Sequence, residues 1–248
     1  MPPEKHTDKV YEAELASLRD RLLEMGGRIE AAIAGSVRAL VERDTALAAK
    51  VIAQDREVNR AEVEIDDMCR RLLALRQPAA SDLRFITTAL KIVTDLERMG
   101  DLAVNVAERA VDLAQSPPLP PFHDLTALAE LSGAALEKAL DAFVEKNVEK
   151  AEKVIEGDDL LDAIYHRIFN DLLAYMMEDS RAVRRATSLM FAAKQLERFG
   201  DHATNLAEMV VYMVRGTDVR HPGSRPHAEP GGTPGPAGTP GTTGTTGT

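Results

Sequence analysis

The sequence predicts an all-α protein built from two similar antiparallel three-helix bundles in tandem. Apolar residues recur every three or four positions through about the first 215 residues, which is typical of amphipathic helices. The composition is rich in Ala, Leu, Glu, Arg and Val and contains no Trp, which favours packed helices over sheet. One segment occurs twice, as "DLERMGDLAVNVAE" at 95–108 and "QLERFGDHATNLAE" at 195–208. Each half holds three helices with short turns, and such helices most simply form an antiparallel bundle.

The first half opens with a helix whose apolar residues form one stripe. The stripe consists of Leu15, Leu18, Leu22, Met25, Ile29, Ile33, Val37 and Leu40. Asp44 is expected to cap a second helix, which runs to about Arg76. Pro78 ends that helix, because the residue before a proline is pushed out of the α region. Ser81 or Asp82 is expected to cap the third helix.

The third helix runs to about residue 114, and "SPPLPP" at 116–121 then forms a short stiff linker. The second half repeats this plan, with helices expected at about 124–146, from a cap at Asn147 to 178, and at about 180–215. We therefore divide the chain into a first repeat at 8–115, a second repeat at 122–215 and a tail at 216–248. The tail is rich in Pro, Gly and Thr and is expected to be disordered.

Charge and composition narrow the class of function. The formal net charge is −10, which disfavours nucleic acid, because binding to phosphates depends on clustered Lys and Arg. Cys69 is the only cysteine and is expected to be a small buried apolar residue. No secretory signal is recognisable, and the longest apolar run, "MVVYMV" at 209–214, is too short to span a bilayer. A cytoplasmic protein is expected.

The repeated segment carries paired carboxylates. Glu97 and Asp101 are four residues apart, as are Glu197 and Asp201, so each pair projects from one helix face. Two anions at this spacing repel and do nothing for the stability of the helix. A solvated acidic face is the plain explanation of one such pair, but two copies at matching places in a duplicated architecture favour a function.

Hairpin geometry suggests which residues face these pairs. With turns centred near 79–80 and 179–180, the first pair faces Asn59 and Glu62. The second pair faces positions near 160, where the sequence offers Asp158, Asp159 and Asp162. Four converging acidic groups would be destabilising without a cation, so a bound metal ion is the natural resolution. Ligation by oxygen alone suits hard ions such as Mg²⁺, Mn²⁺, Ca²⁺ or oxygen-ligated iron.

Neighbouring residues give weaker signals. Gly100 and Gly200 lie in mid-helix, where glycine costs about 1 kcal/mol, so we expect close approach of another helix or a ligand there. His202 and His166 are minor candidate ligands, and Leu102 occupies the position equivalent to His202. The sequence has no ExxH, HExxH, P-loop or GxSxG motif, so nothing in it supports catalysis.

The segments at 73–110 and 175–208, including the turn "RQPAASDLR", closely resemble the PhoU family. The resemblance covers about residues 8–215. It implies two three-helix bundles, each able to carry a metal cluster on E/DxxxD motifs. It also implies a negative regulator of phosphate uptake and phosphate-regulon signalling, acting between a phosphate ABC transporter and a sensor histidine kinase. The resemblance further implies peripheral association with the inner membrane and a homodimer, since proteins of this family are often dimeric.

The resemblance also implies ligand sets. Asp158 and Asp162 would complete the site of the second half. In the first half either Asp55 with Asn59 or Asn59 with Glu62 would do so, since three extra residues lie somewhere between positions 55 and 72. The metal could be iron, zinc, manganese or magnesium.

Two other functions are compatible with the residues. One is a metal-dependent enzyme or a metal-storage bundle. The other is a metal-free helical scaffold whose acidic faces dock on basic partners.

Overall fold

Seven α-helices and one short 3₁₀ turn form the described part of this computed structural model, residues 4–120 and 123–216. The helices are α1 (Glu4–Glu42), α2 (Thr45–Arg76), α3 (Ala80–Ala114), α4 (His123–Glu145), α5 (Val148–Glu156), α6 (Asp158–Glu178) and α7 (Val183–Arg215). No strand occurs in these ranges. The tail predicted to be disordered is 216–248; Gly216 forms the C-cap of α7, and residues 217–248 lie outside the described residues.

Two helix starts follow the sequence prediction. The Asp44 carboxylate accepts hydrogen bonds from the backbone N–H groups of residues 46 and 47 at 3.0 and 2.9 Å. The Asn147 side chain accepts one from the Lys150 N–H at 3.1 Å. Both caps satisfy N–H groups that have no partner inside the helix, so the short turns between the first and second helices of each half are fixed locally.

The third helix of the first half begins earlier than expected. Its N-cap position is Ala79, which provides no side-chain cap, so the predicted cap at Ser81 or Asp82 was wrong. Asp82 lies in the first turn and accepts a hydrogen bond from the Tyr11 hydroxyl at 3.2 Å. A carboxylate in the first turn still interacts favourably with the positive end of the helix dipole. The helix therefore starts straight after the Pro78 turn.

The second half departs from the prediction in two places. The expected single helix from Asn147 to residue 178 is broken at Gly157, and α6 begins directly at Asp158. Glycine is among the weakest helix formers, which explains where the break falls. The last helix is preceded by a 3₁₀ turn at Ser180–Ala182, which Asp179 caps through the N–H of residue 181.

The two bundles pack against each other through α1 with α4 and α3 with α7. On α3 and α7 the contacts run in opposite directions, since Arg84 donates to the Met213 carbonyl while Asn105 donates to Gln195. Phe85 and Phe143 stack across the bundles with ring centroids 4.9 Å apart. The two equivalent third helices thus lie antiparallel at the centre. The predicted all-α architecture of two tandem bundles is confirmed.

The core consists of the expected apolar faces. All eight residues of the α1 stripe are buried. Cys69 is also fully buried, and burial, together with the charge of Asp66, raises the pKa of its thiol to about 12. A thiol with so high a pKa and no exposure is a packing residue, as predicted. None of the described helices is long and apolar enough to cross a membrane.

Candidate metal sites between paired helices

The second-half site lies between α6 and α7. Carboxylate oxygens of Asp162, Glu197 and Asp201 all lie within 4.8 Å of one another. Among the described residues, no other three His, Cys, Asp or Glu side chains form such a group. Asp162 comes from α6 and the other two come from α7, so the site depends on how these two helices pack.

Asp158, the first residue of α6, belongs to the same neighbourhood. Its Oδ1 accepts a hydrogen bond from the Thr204 hydroxyl at 3.0 Å. Its charge is one of the causes that raise the pKa of Asp201. We call the four residues Asp158, Asp162, Glu197 and Asp201 the second-half site.

Negative charge is crowded around Asp201. Burial, followed by the charges of Glu197 and Asp158, raises the pKa of Asp201 to about 6. Glu197 is itself buried, with 9% of its surface exposed. Both burial and like charges disfavour an ionised carboxylate, so a cation placed here would be stabilised by the whole group.

One cation is already present in the chain. The Lys194 ammonium lies 2.5 Å from Glu197 Oε2 and 2.6 Å from Oε1, and sits 5.1 Å from the centroid of the Tyr165 ring. Burial alone would lower the pKa of Lys194, but its hydrogen bond and charge interaction with Glu197 raise it. Lys194 therefore remains charged and offsets part of the negative charge of the site.

The first-half site lies between α2 and α3. Asp55 Oδ2 accepts a hydrogen bond from the Asn59 amide at 2.9 Å, while Asp55 Oδ1 is buried and has no hydrogen-bond partner. Burial, followed by the charge of Asp101, raises the pKa of Asp55, and the bond from Asn59 opposes this rise. An unpartnered buried carboxylate oxygen costs free energy, which a cation would recover.

Glu62 approaches the same site from the next turns of α2. Burial raises the pKa of Glu97, and the charges of Asp101, Glu62 and Asp55 raise it further, while Arg98 opposes them. The two alternatives left open by the sequence are therefore not exclusive, because Asp55 and Glu62 both lie within electrostatic reach of Glu97. We call Asp55, Asn59, Glu62, Glu97 and Asp101 the first-half site.

The glycines explain how the helices come close enough. A Cβ on Gly200 would lie 2.6 Å from Leu161 Cδ1, and one on Gly100 would lie 3.2 Å from Val58 Cγ1. Asp55 Oδ1 lies 3.6 Å from the same added Cβ on Gly100. The expected close approach of a neighbouring helix is confirmed at both glycines. It brings the carboxylates of the second and third helices of each repeat together.

These contacts also fix the register of the repeat. Val58 and Leu161 make the same contact and lie 103 positions apart, as do Asp55 and Asp158. The three additional residues of the first half therefore lie beyond this level of α2. Asn59 is then the structural counterpart of Asp162, and Glu62 has no counterpart among the acidic residues of α6.

Three predicted candidates lie apart from the sites. Asp159 is exposed, and the exposed His166 packs its ring 5.6 Å from that of Tyr165. His202 Nδ1 lies 3.0 Å from Asp95 Oδ1 across the two bundles. His202 thus joins the bundles instead of completing the carboxylate group.

Sequence reasoning missed two residues, Lys194 and Asp95. Asp95 is buried on the interface side of α3, and its only sequence signal is a carboxylate within an apolar stretch of the repeated segment. The signal for Lys194 is a difference between the repeats, because the equivalent residue is Thr94. Both positions stand out only when the halves are compared.

Known proteins match this chain in sequence over both repeats. A family model described as the PhoU domain matches residues 22–110 and again 125–210. The phosphate-specific transport system accessory protein PhoU homolog of Rhizobium meliloti is 45% identical over 222 residues, which is 89% of this chain and 93% of that protein. The PhoU of Escherichia coli K12 is 36% identical over 219 residues, 88% of this chain and 91% of that protein.

Two solved structures have the same fold as this chain. The crystal structure of PhoU from Pseudomonas aeruginosa is 42% identical with a TM-score of 0.80, covering 84% of this chain and 100% of that chain. The phosphate transport system regulatory protein PhoU from Streptococcus pneumoniae is 29% identical with a TM-score of 0.79, covering 84% and 99%.

The fold is that of a duplicated helical protein in which each half matches the same domain model. The chain belongs to the PhoU family. The prediction of the family is thereby confirmed.

Proposed function

We propose that this chain is a regulatory accessory protein of a phosphate-specific transport system. The relatives from Pseudomonas putida, Rhizobium meliloti and Escherichia coli are accessory proteins of that system. The chain covers 90% or more of the length of each. This end-to-end match of both repeats is the observation that carries the proposal. More specifically, we propose that the protein restrains phosphate uptake and phosphate-regulon signalling by contacting the transporter ATPase and a sensor histidine kinase in the cytoplasm.

A genetic experiment tests this role. Deletion of the gene is expected to raise expression of a phosphate-regulon reporter in phosphate-rich medium, and the intact gene is expected to restore repression. Phosphate uptake is measured in the same strains. An unchanged reporter together with unchanged uptake would contradict the proposal.

Metal binding is the second part of the proposal. We assign Glu97, Asp101, Glu197 and Asp201 as the central ligands, completed in the first half by Asp55, Asn59 and Glu62 and in the second half by Asp158 and Asp162. Iron, manganese, zinc or magnesium would be held by oxygen ligands and would fix the helix pair. The buried, unpartnered Asp55 oxygen and the close group at Asp162 support this assignment.

Elemental analysis of purified, tag-free protein tests the metal. The variant Glu97→Gln/Asp101→Asn/Glu197→Gln/Asp201→Asn is expected to lose the metal equivalents that the unchanged protein holds. A matched control removes four exposed carboxylates elsewhere by the same chemistry: Glu12→Gln, Asp20→Asn, Glu149→Gln and Asp171→Asn. Equal metal content in all three proteins after reconstitution would refute the assignment.

Lys194 favours a second candidate for the second half. Its ammonium already contacts both oxygens of Glu197, so this site could stabilise the α6–α7 pair without a metal. In that case Glu97→Gln/Asp101→Asn by itself is expected to remove all of the bound metal, and Glu197→Gln/Asp201→Asn by itself is expected to remove none. The homodimer and the peripheral membrane association expected from the family remain part of the proposal, and sedimentation of the purified protein with and without vesicles tests both.

A further inference from the structure

A groove separate from the carboxylate sites runs between α1 and α4. It has a volume of about 510 Å³ and lies where the first helices of the two bundles meet. Its floor is apolar and includes Ile33, Val37, Ala129 and Gly133. None of these residues belongs to either carboxylate site.

Small side chains create the groove. At one end α1 and α4 pack tightly, since a Cβ on Gly26 would collide with Leu140. Beyond this contact the walls include Ala34, Ala134 and Gly133, which leave space between the helices. The stem of Glu30 lies across Gly133, with Cγ 3.8 Å from where a Cβ would stand.

The groove continues towards the proline linker. A second cavity of about 270 Å³ shares Val41 and Thr126 with it and extends to Leu119 and Leu125. Val41 is 55% exposed, which is unusual for a valine on the inner side of a helix pair. Along α1, residues 30–42 span about 18 Å at the rise of an α-helix, which is enough for three turns of a bound helix.

Glutamates surround the apolar floor. Glu30, Glu42, Glu130 and Glu137 line the groove, and among the described residues Arg38 is the only cationic one that lines it. Within the described residues, none of the four glutamates has a hydrogen-bond or salt-bridge partner, although Arg21 and Arg28 on α1 both form salt bridges with other glutamates. Burial and the charge of Glu137 raise the pKa of Glu30. Unpaired acids around an apolar floor are complementary to a cationic amphipathic segment.

We infer that this groove binds an amphipathic helix of a protein partner, with apolar residues on one face and Lys or Arg on both flanks. Helices of this kind bury their apolar face in a groove and place flanking charges against the rim. A second copy of this chain is disfavoured, because its own acidic rim would face the same glutamates. An anionic lipid surface is disfavoured for the same reason. The inference deepens the proposed accessory function by naming the surface that meets a partner.

A synthetic peptide provides the probe. It is a helix of about 18 residues with Leu and Ala on one face and Lys on both flanks, long enough to fill the groove. Its binding to the full chain is measured by fluorescence anisotropy. The variant Glu30→Gln/Glu130→Gln/Glu137→Gln is expected to weaken binding at least tenfold. The control Glu149→Gln/Glu156→Gln/Glu178→Gln removes the same charge from exposed positions on α5 and α6 and is expected to change binding less than about twofold.

The buried Cys69 gives a second readout. Because its thiol is inaccessible, the Ala34→Cys variant carries one reactive thiol, placed in the groove. The peptide is expected to slow maleimide labelling of this thiol and to leave that of the control variant Ala163→Cys on α6 unchanged. Circular dichroism confirms that every variant remains folded, and all substituted side chains of the control set are exposed.

Each outcome decides the inference. Equal weakening by both triple variants would show general attraction to an acidic protein and would overturn it, as would absence of binding or protection at both cysteines. A loss of self-association in the groove variant would assign the groove to a second copy and would also overturn it. The accessory role is tested independently of the groove. An unchanged reporter in the deletion strain would contradict the accessory role but would not affect the result of the peptide binding experiment.

Discussion

The two carboxylate sites have nearly the same third helix and a different second helix. Glu97–Asp101 and Glu197–Asp201 are equivalent, and each pair lies beside a glycine where the second helix approaches. Opposite them, the first half has Asn59 where the second half has Asp162. Both halves therefore keep the carboxylate pair on the third helix, while the second helix determines how many further acidic groups lie opposite it.

The sites also differ in their own positive charge. Lys194 contacts Glu197 in the second half, whereas the equivalent Thr94 hydroxyl in the first half donates to the backbone carbonyl of residue 90. The first half leaves Asp55 Oδ1 buried without a hydrogen-bond partner, whereas the buried Glu197 Oε2, which also has no hydrogen bond, lies 2.5 Å from the Lys194 ammonium. Lys194 thus contacts a carboxylate of the second-half site directly, whereas in the first half Arg98 acts on Glu97 only through its charge, so a metal ion is expected to matter more to the first half.

The largest expected effect concerns the histidine that one half has and the other lacks. His202→Leu makes α7 match Leu102 of α3 and removes the hydrogen-bond partner of Asp95, which is 8% exposed and keeps only a 3.8 Å contact with Arg98. A buried carboxylate that loses its hydrogen-bond partner costs about 2 kcal/mol, so the free energy of unfolding by urea should fall by that amount. Asn105→Ala, which removes an exposed 3.4 Å contact to Gln195, is the control and should cost under about 0.5 kcal/mol. Equal losses of unfolding free energy in the two variants would show that the His202–Asp95 contact contributes no more to stability than the exposed contact of Asn105.

The second-largest expected effect is on metal affinity and concerns the Lys194 ammonium. Lys194→Thr gives the second-half site the residue of the first, and a metal ion then no longer displaces an ammonium. Mn²⁺ affinity measured by calorimetry should rise about tenfold, or about 1.4 kcal/mol. The measurement uses a Glu97→Gln/Asp101→Asn background so that only the second-half site is read. Lys153→Thr on the exposed face of α5 is the control, and an equal gain there would point to general charge effects.

Glycine substitution should separate the two helix contacts. Gly200→Ala pushes a Cβ to 2.6 Å from Leu161, whereas Gly100→Ala brings one to 3.2 Å from Val58. Alanine gains about 1 kcal/mol of helix propensity at either position, and overpacking costs about 1–3 kcal/mol where the contact is too short. Thermal unfolding should show Gly200→Ala destabilised by about 1 kcal/mol and Gly100→Ala close to unchanged. The reverse order would contradict the packing described above.

The smallest effect is a pH dependence in metal-free protein. Burial and neighbouring carboxylates raise the folded-state pKa of Asp201 from 3.8 to about 6. Between these values the folded state holds a proton that the unfolded state has lost, so stability falls as pH rises through this window. Asp201→Asn should therefore be more stable than the unchanged protein at pH 7, by under about 1 kcal/mol after solvent screening. The difference should vanish below about pH 4.

Saturating Mn²⁺ provides the control for this pH effect. The ion stabilises the ionised carboxylate, so the sign of the difference at pH 7 should reverse if Asp201 is a ligand. Melting temperatures measured from pH 4 to pH 8, with and without the ion, decide both points. A difference that is constant across pH would refute the raised pKa.

Local patterns in the sequence were enough to determine the helices, the duplication and the face on which each carboxylate lies. Asp44 and Asn147 cap their helices through bonds to residues two or three positions away, so their role is readable from neighbours alone. Glu97 and Asp101 share a face because a helix repeats every 3.6 residues. The early start of α3 and the break at Gly157 were not predicted, because several residues can end or begin a helix and packing selects among them.

Only the tertiary structure decided which residues meet across helices. Asp55 faces Gly100, Lys194 reaches Glu197 and His202 turns to Asp95 in the other bundle. Sequence spacing allowed two alignments of α2 with the second helix of the other half, and these differ by about one turn. The contact of Val58 with Gly100, which matches that of Leu161 with Gly200, supports the alignment that pairs Asn59 with Asp162. The physical reason is that side-chain packing between helices depends on close approach at particular small residues, which no periodicity within one helix encodes.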